Sequence, residues 1–149
     1  MSKSNAWESD LLTLLFQNIA ATLIGDAAGL LPSAGAGSLY ISIHSADPGE
    51  AGDQTTSEIS YTGYARVAVA RSSGAWTVSN TAPTQAANAA LIAFGLDTVG
   101  SVTATHFGVG VASTAAGKLL YSGSLTAPLA ISPGITPQFA IGTLVISED

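Results

Sequence analysis

The chain has no cysteine among its 149 residues. That absence excludes a disulfide framework and any thiolate metal site, and it suits a protein made in a reducing cytoplasm. Cations are almost as scarce: four Lys and Arg stand against ten Asp and Glu, for a net charge of −6. A nucleic-acid binder neutralises phosphates with many cations, so neither DNA nor RNA is an expected partner. Charge of either sign is thin, at 9% of residues against roughly 25% in an ordinary soluble domain. From Ser72 to Ser147 only Asp97 and Lys118 are charged. A membrane span needs about 18 or more consecutive apolar residues, and no such run is present. The first apolar segment is broken by Asp10, Gln17 and Asn18, and Lys3 is its only basic neighbour, so it does not read as a signal peptide either.

Apolar residues, by contrast, make up 47% of the chain. That content argues against disorder and fits one domain with a full core. Ser, Thr, Gly, Ala and Asn replace charge as the solvating residues. This composition has two readings: a soluble domain with a neutral, hydroxyl-rich surface, or a subunit that works packed against others. The centres of obligate interfaces are depleted in charge, which favours the second.

Periodicity divides the chain into residues 1–37, an N-terminal helix with a Gly/Ala-rich connector, and residues 38–149, a β domain. Asn5-Ala6-Trp7-Glu8 reads as an N-cap with Glu at the third helical position. Leu11, Leu12, Leu15, Phe16, Ile19, Leu23 and Ile24 then form one apolar stripe, and Gly25 is a natural stop. A second helical turn fits Ala27–Leu31. From Leu39 the period becomes two. Leu39, Ile41 and Ile43 share one face; Tyr40, Ser42 and His44 share the other. Strand patterns continue at 64–71, 75–79, 88–94 (with helix the runner-up), 102–111, 118–125 and 137–147. Ser132-Pro133-Gly134 fits a type II turn. Short strands at near-even spacing predict an antiparallel β-sandwich, jelly-roll-like, with one N-terminal α-helix. The expected core is Leu39, Ile41, Ile43, Val67, Val69, Trp76, Phe107, Val109, Phe139 and Ile141.

Motifs for chemistry are weak. The loop after the first strand carries Asp47, Glu50, Asp53 and Glu58, but their spacing does not match a calcium loop. Asp47-Pro48-Gly49 reads better as a turn. His44 and His106 are too few for zinc without cysteine, so structural roles are expected. No Gly-x-Ser-x-Gly elbow is present, and Ser122-Gly123-Ser124 reads as a strand kink. Gly108-Val109-Gly110 lacks the third glycine and following helix of a dinucleotide site. Glycine inside a strand instead signals a bulge or a close backbone approach. No catalytic, cofactor-binding or metal residue is therefore assigned, and the chain is not expected to be an enzyme.

Candidate interface residues are Trp7, Leu11 and Phe16 on the helix, and Arg66 and Arg71 on a strand. The helix either covers a sheet of its own domain or reaches a neighbour through its flexible connector. The two arginines are either interface anchors or solvated strand residues.

The segments "LYISIHSADPGEAG", "YTGYARVAVAR", "THFGVGVA" and "GKLLYSGSLTAPLAISPGITPQFAIGTLVISED" resemble small structural proteins of tailed bacteriophages, whose members are often labelled tail fibre or minor structural proteins. Within that class the size, β content and single domain are similar to capsid cement, or decoration, proteins. The resemblance implies a β-sandwich or jelly roll on the capsid exterior between capsomers. It implies the major capsid protein and copies of the chain itself, as a dimer or trimer, for partners. It carries no catalytic residue and no cofactor. The expected function is thus a cement subunit that bridges capsomers and stabilises the head. The alternatives are a tail- or fibre-associated structural protein, and a carbohydrate-binding β-sandwich stacking Tyr40, Tyr61, Tyr64 or Trp76 on sugars.

Overall fold

The computed structural model describes residues 2–148. The order of elements is helix α1 (Asn5–Leu12), a π-helical turn (Thr13–Gln17), then β1 (Ser38–His44), β2 (Val67–Ala70), β3 (Trp76–Ser79), β4 (Thr84–Asn88), β5 (Ile92–Ala93), β6 (Val102–Gly110), β7 (Leu119–Ile131), β8 (Gln138–Phe139) and β9 (Val145–Glu148). The chain is mainly β, with antiparallel sheets and one short N-terminal α-helix, as the sequence predicts. It forms two compact units that interleave in sequence. One gathers Met1–Ser38, Ala70–Leu91 and Phe139–Asp149; the other gathers Leu39–Val69 and Ile92–Gln138.

The first unit holds the three-stranded sheet β3-β4-β9, with α1 against β3 and β4. Trp76 pairs with Asn88 at one end of the β3–β4 ladder, and Thr84 with Glu148 at one end of β4–β9. Its core is Leu12, Phe16, Trp76, Ala86, Leu144 and Ile146, all buried. The Phe16 and Trp76 rings meet edge to face, 4.7 Å apart. Such a pair adds about 0.5–1.5 kcal/mol beyond the area it buries.

The helix differs from expectation at both ends. Ser4, not Asn5, is the N-cap, its Oγ accepting from Trp7 N at 3.3 Å. The helical stripe also ends early. Thr13 donates its hydroxyl back to the Ser9 carbonyl, the kind of back-bond that perturbs a helix. The next turn widens to π, and Asn18 closes it in the left-handed region at φ 57°. Arg71 then donates to the terminal carbonyls of Leu14 and Leu15, each at 2.6 Å, in place of a further turn. Leu12 and Phe16 are therefore buried, while Ile19, Leu23 and Ile24 are exposed. The helical turn expected at Ala27–Leu31 is absent. Leu30 instead bridges Ala21, and the Asp26 carboxylate accepts from the amides of Ala28 and Gly29.

The second unit is built on the four-stranded sheet β2-β1-β6-β7 and the short pair β5-β8. β1 and β6 align Ile41 with Val109 and His44 with His106. The buried residues here include Leu39, Ile41, Ile43, Ile59, Phe94, Val109 and Ile131. Ser132-Pro133-Gly134 makes the predicted turn: Ile135 N donates to Ser132 O at 3.0 Å, and Gly134 takes φ 94°.

The expected core needs correction at five positions. Val67, Val69, Phe107 and Phe139 are only half-buried, and Ile141 is 67% exposed. Ile141 fails because the run 137–147 is two strands, not one. Between β8 and β9 the chain turns around Asn88, whose side chain donates to Ala140 O at 2.9 Å and accepts from Leu144 N at 2.9 Å. The run 88–94 likewise divides, giving its first residue to β4 and Ile92 and Ala93 to β5.

Candidate functional site

The polar loop between β1 and β2 is not a loose connection. Its first turn forms as the sequence suggests, with Asp47 Oδ1 accepting from Gly49 N at 2.9 Å and Gly49 at φ 70°. A second turn uses Asp53, whose carboxylate takes the amide and hydroxyl of Thr55 at 2.8 and 2.6 Å. Those bonds hold the Asp53 carboxyl below its usual range. Both acids thus cap their own turns. Among the described residues no cluster of three or more His, Asp and Glu is gathered to hold a metal ion.

Glycines let side chains of β1 and of the loop lie close against β6 and the turn before β7. A Cβ on Gly108 would stand 2.6 Å from His44 Nε2 and 2.7 Å from Ser42 Oγ. One on Gly110 would stand 2.1 Å from Gln54 Cδ, and one on Gly117 2.4 Å from Gln54 Oε1. These distances are far inside van der Waals contact, so Gly108 and Gly110 mark close approaches, as their strand positions predict, and Gly117 does the same from the turn before β7. Gln54 fills the space they leave. Fully buried, it accepts from Val111 N and Ala112 N at 3.0 and 2.8 Å, and its backbone amide donates to Gly117 O at 3.0 Å. Without alignment or structure, a single Gln in a polar loop carries no sign of this role.

His44 and Ser42, both fully buried, are paired at 2.8 Å between Nε2 and Oγ. His44 Nδ1 lies 2.9 Å from the Thr56 carbonyl. A carbonyl only accepts, so Nδ1 carries the proton and the Ser42 hydroxyl donates to Nε2. Burial lowers the His44 pKa and outweighs the opposing effects of the Thr56 carbonyl and Glu58. The result is a neutral imidazole that ties loop to strand. Its partner hydroxyl has the distance of a nucleophile–base pair, but neither side chain is accessible to a substrate.

Beside it, Arg66 grips Glu58 with both arms of the guanidinium: Nε to Oε1 at 2.8 Å and Nη2 to Oε2 at 2.7 Å. The two side chains are 3% and 15% exposed. Arg66 Nη1 also donates to Ala112 O at 2.9 Å, and Tyr64 donates its hydroxyl to Glu58 at 2.7 Å. Burial first, then Glu58, drives the Tyr64 pKa well above its ordinary value. Tyr64 stacks on Phe94 at 5.9 Å and meets Tyr61 edge-on at 5.4 Å.

The structure thus places the candidate interface residues in different settings. Arg66 is buried in the ion pair just described. Arg71 serves the end of the π turn and also donates to Ala36 O at 3.0 Å. Phe16 packs on Trp76. Trp7 and Leu11 are half-buried. Trp76 and Tyr61 are buried, so they offer no ring to a sugar, and Tyr64 is engaged with Glu58. What the sequence reading did not single out as surface is the segment from Ile19 to Leu31. Leu23 is 82% and Leu31 69% exposed there, with Ile19, Ile24 and Leu30 also open. This segment is tied at its base, since Asn18 and Ser33 exchange bonds of 2.9 and 3.0 Å.

The Ile19–Leu31 segment is thus an exposed apolar stretch, tied at its base, on a charge-poor, antiparallel β chain. The family model described as podophage GP4 fiber I protein gp80 matches residues 2–147. The chain belongs to that family. It is accordingly a structural protein of a bacteriophage, the class that its strand-and-turn segments resemble. A search of the curated proteins found no match.

Proposed function

We propose that the chain is a fibre-associated structural subunit of the virion tail, without enzymatic activity. The observation that carries this reading is the match to a fiber protein family across nearly the whole chain. The surface supports it. Apolar side chains cluster between Ile19 and Leu31, and exposed apolar patches of this kind mark protein contacts. Few charges surround them, as suits a surface covered by a partner. In this reading the partners are copies of the chain and neighbouring tail proteins.

A second reading is the capsid cement subunit on the capsid exterior, bridging copies of the major capsid protein. It is favoured by the lack of internal repeats within these residues, where fibres are commonly repetitive. Cement binds only the assembled shell and stabilises it by mass action. A net charge of −6 suits a position away from packaged DNA in either case.

Separating particles into heads and tails, with protein identification in each fraction, tests the proposal. The chain is expected with the tails. Its recovery with heads would transfer the assignment to cement, and its absence from purified particles would overturn both.

A further inference from the structure

β7 is an edge strand of the four-stranded sheet. It runs for 13 residues, Leu119–Ile131, without one charged side chain. Natural sheets usually blunt such an edge with charge, proline or bulges. In β7 the proline, Pro128, lies in the second half. The register against β6 slips twice, between Ala104 and His106 opposite Ser124–Leu129, and between Val109 and Gly110 opposite Tyr121 and Leu119. The first half, Leu119–Ser122, has neither Pro nor charge, and it borders an open groove of about 470 Å³. Asp47, Gly49, Glu50 and Gly52 form the other wall.

The volume is of the order that one added strand needs. Four edge residues extend roughly 13 Å, and a strand needs ~4.8 Å of width and ~10 Å between faces, or roughly 600 Å³. The groove is of that order. Charge then selects the occupant. The ion pairs of the described residues, Lys3–Glu148 and Arg66–Glu58, leave Asp47 and Glu50 out. Lys118 precedes β7 but does not line the groove. A second copy brings the same acidic wall and a net charge of −6. An extended segment bearing Lys or Arg is the complementary occupant.

We propose that the groove between Asp47–Gly52 and Leu119–Ser122 receives an extended, basic segment of another virion protein, added to β7 as a further strand. Main-chain hydrogen bonds supply the attachment, and the two carboxylates select the basic side chains. The proposal deepens the structural-subunit reading and rests on it for the origin of the partner.

The test uses the full chain with short synthetic peptides of alternating Val and Lys, of alternating Val and Glu, and the Lys peptide N-methylated at alternate amides. Binding is followed by titration, and its place by amide exchange. The Lys peptide is expected to bind roughly tenfold more tightly than the Glu peptide, the sum of two exposed charge contacts, and to slow exchange across Leu119–Ser122. N-methylation should abolish binding. The double substitution Asp47→Asn, Glu50→Gln keeps a side-chain acceptor at the Asp47 turn and should remove the Lys preference. Equal binding of Lys and Glu peptides, undiminished binding after N-methylation, protection elsewhere, or no binding at all would overturn the proposal. So would β7 protection that arises from self-association without peptide. The peptide results do not depend on where the chain sits in the particle, so fractionation of heads and tails can fail while the groove stands, and the reverse.

Discussion

Gly110→Ala tests the packing of the loop on the sheet. The new methyl would stand 2.1 Å from Gln54 Cδ and 2.4 Å from Cγ and Nε2. Gln54 cannot yield cheaply, because it is fully buried and is the acceptor for both Val111 N and Ala112 N. Overpacking of this kind costs about 1–3 kcal/mol. Loss of two amide partners adds about 1 kcal/mol each, near the low end because Val111 is 46% exposed and water can reach it. The sum is roughly 3–5 kcal/mol, or a fall in Tm of roughly 6–20 °C for a chain of this size. Calorimetry and urea unfolding of the full chain measure it. The decisive comparison is with Gln54→Ala, which removes the obstructing side chain. In that background Gly110→Ala should cost at least about 1 kcal/mol less. Additivity within about 0.5 kcal/mol would refute the clash as the cause.

Arg66→Met leaves Glu58 largely buried with its strongest donor gone, and should destabilise by about 3 kcal/mol in urea unfolding; adding Glu58→Leu should recover much of that loss. Asn88→Ala removes the side chain that holds Ala140 and Leu144, and should cost about 2 kcal/mol with faster amide exchange at Leu144. His44 titrates below its ordinary 6.5 in the fold, chiefly because it is buried. The unfolded chain therefore takes up the proton first, so this contribution is complete above about pH 6.5 and declines as the pH falls toward the folded value. His44→Gln should flatten the stability profile between about pH 7 and 5; an unchanged slope would assign the acid sensitivity to other groups. Arg71→Met should free the Leu14 and Leu15 carbonyls and fray the π turn, read as lost helical signal and a destabilisation of about 2 kcal/mol.

The strands that alternate cleanly were legible. β1 and β6 stand almost where period-two patterning put them, and Pro133-Gly134 turned as its two residues require. The helix was legible only at its start. The stripe through Ile19 and Leu23 has helical spacing, but Asn18 and the Arg71 side chain end the helix by tertiary contact, which spacing does not record. β4 was missed because Thr84-Gln85-Ala86-Ala87-Asn88 has little apolar contrast and lies just after Pro83; its pairing with β3 and β9 makes it a strand. The same holds for the loop after β1. Its turns were readable from Asp, Pro and Gly, and its close glycines from their strand positions. Gln54 folds back onto partners more than fifty residues away, and the Glu58 ion pair with Arg66 is fixed by burial, neither of which leaves a local signal. The Ile19–Leu31 segment reads in the sequence as the end of a helical stripe and a connector, and neither pattern marks its apolar residues as exposed.

The most direct measurement is amide exchange and surface labelling of residues 19–31, compared between the free chain and intact particles. Leu23 and Leu31 should be open to solvent in the free chain and strongly protected in the particle, where a neighbour covers them. Equal exposure in both states would contradict a subunit whose charge-poor exterior is made for contact.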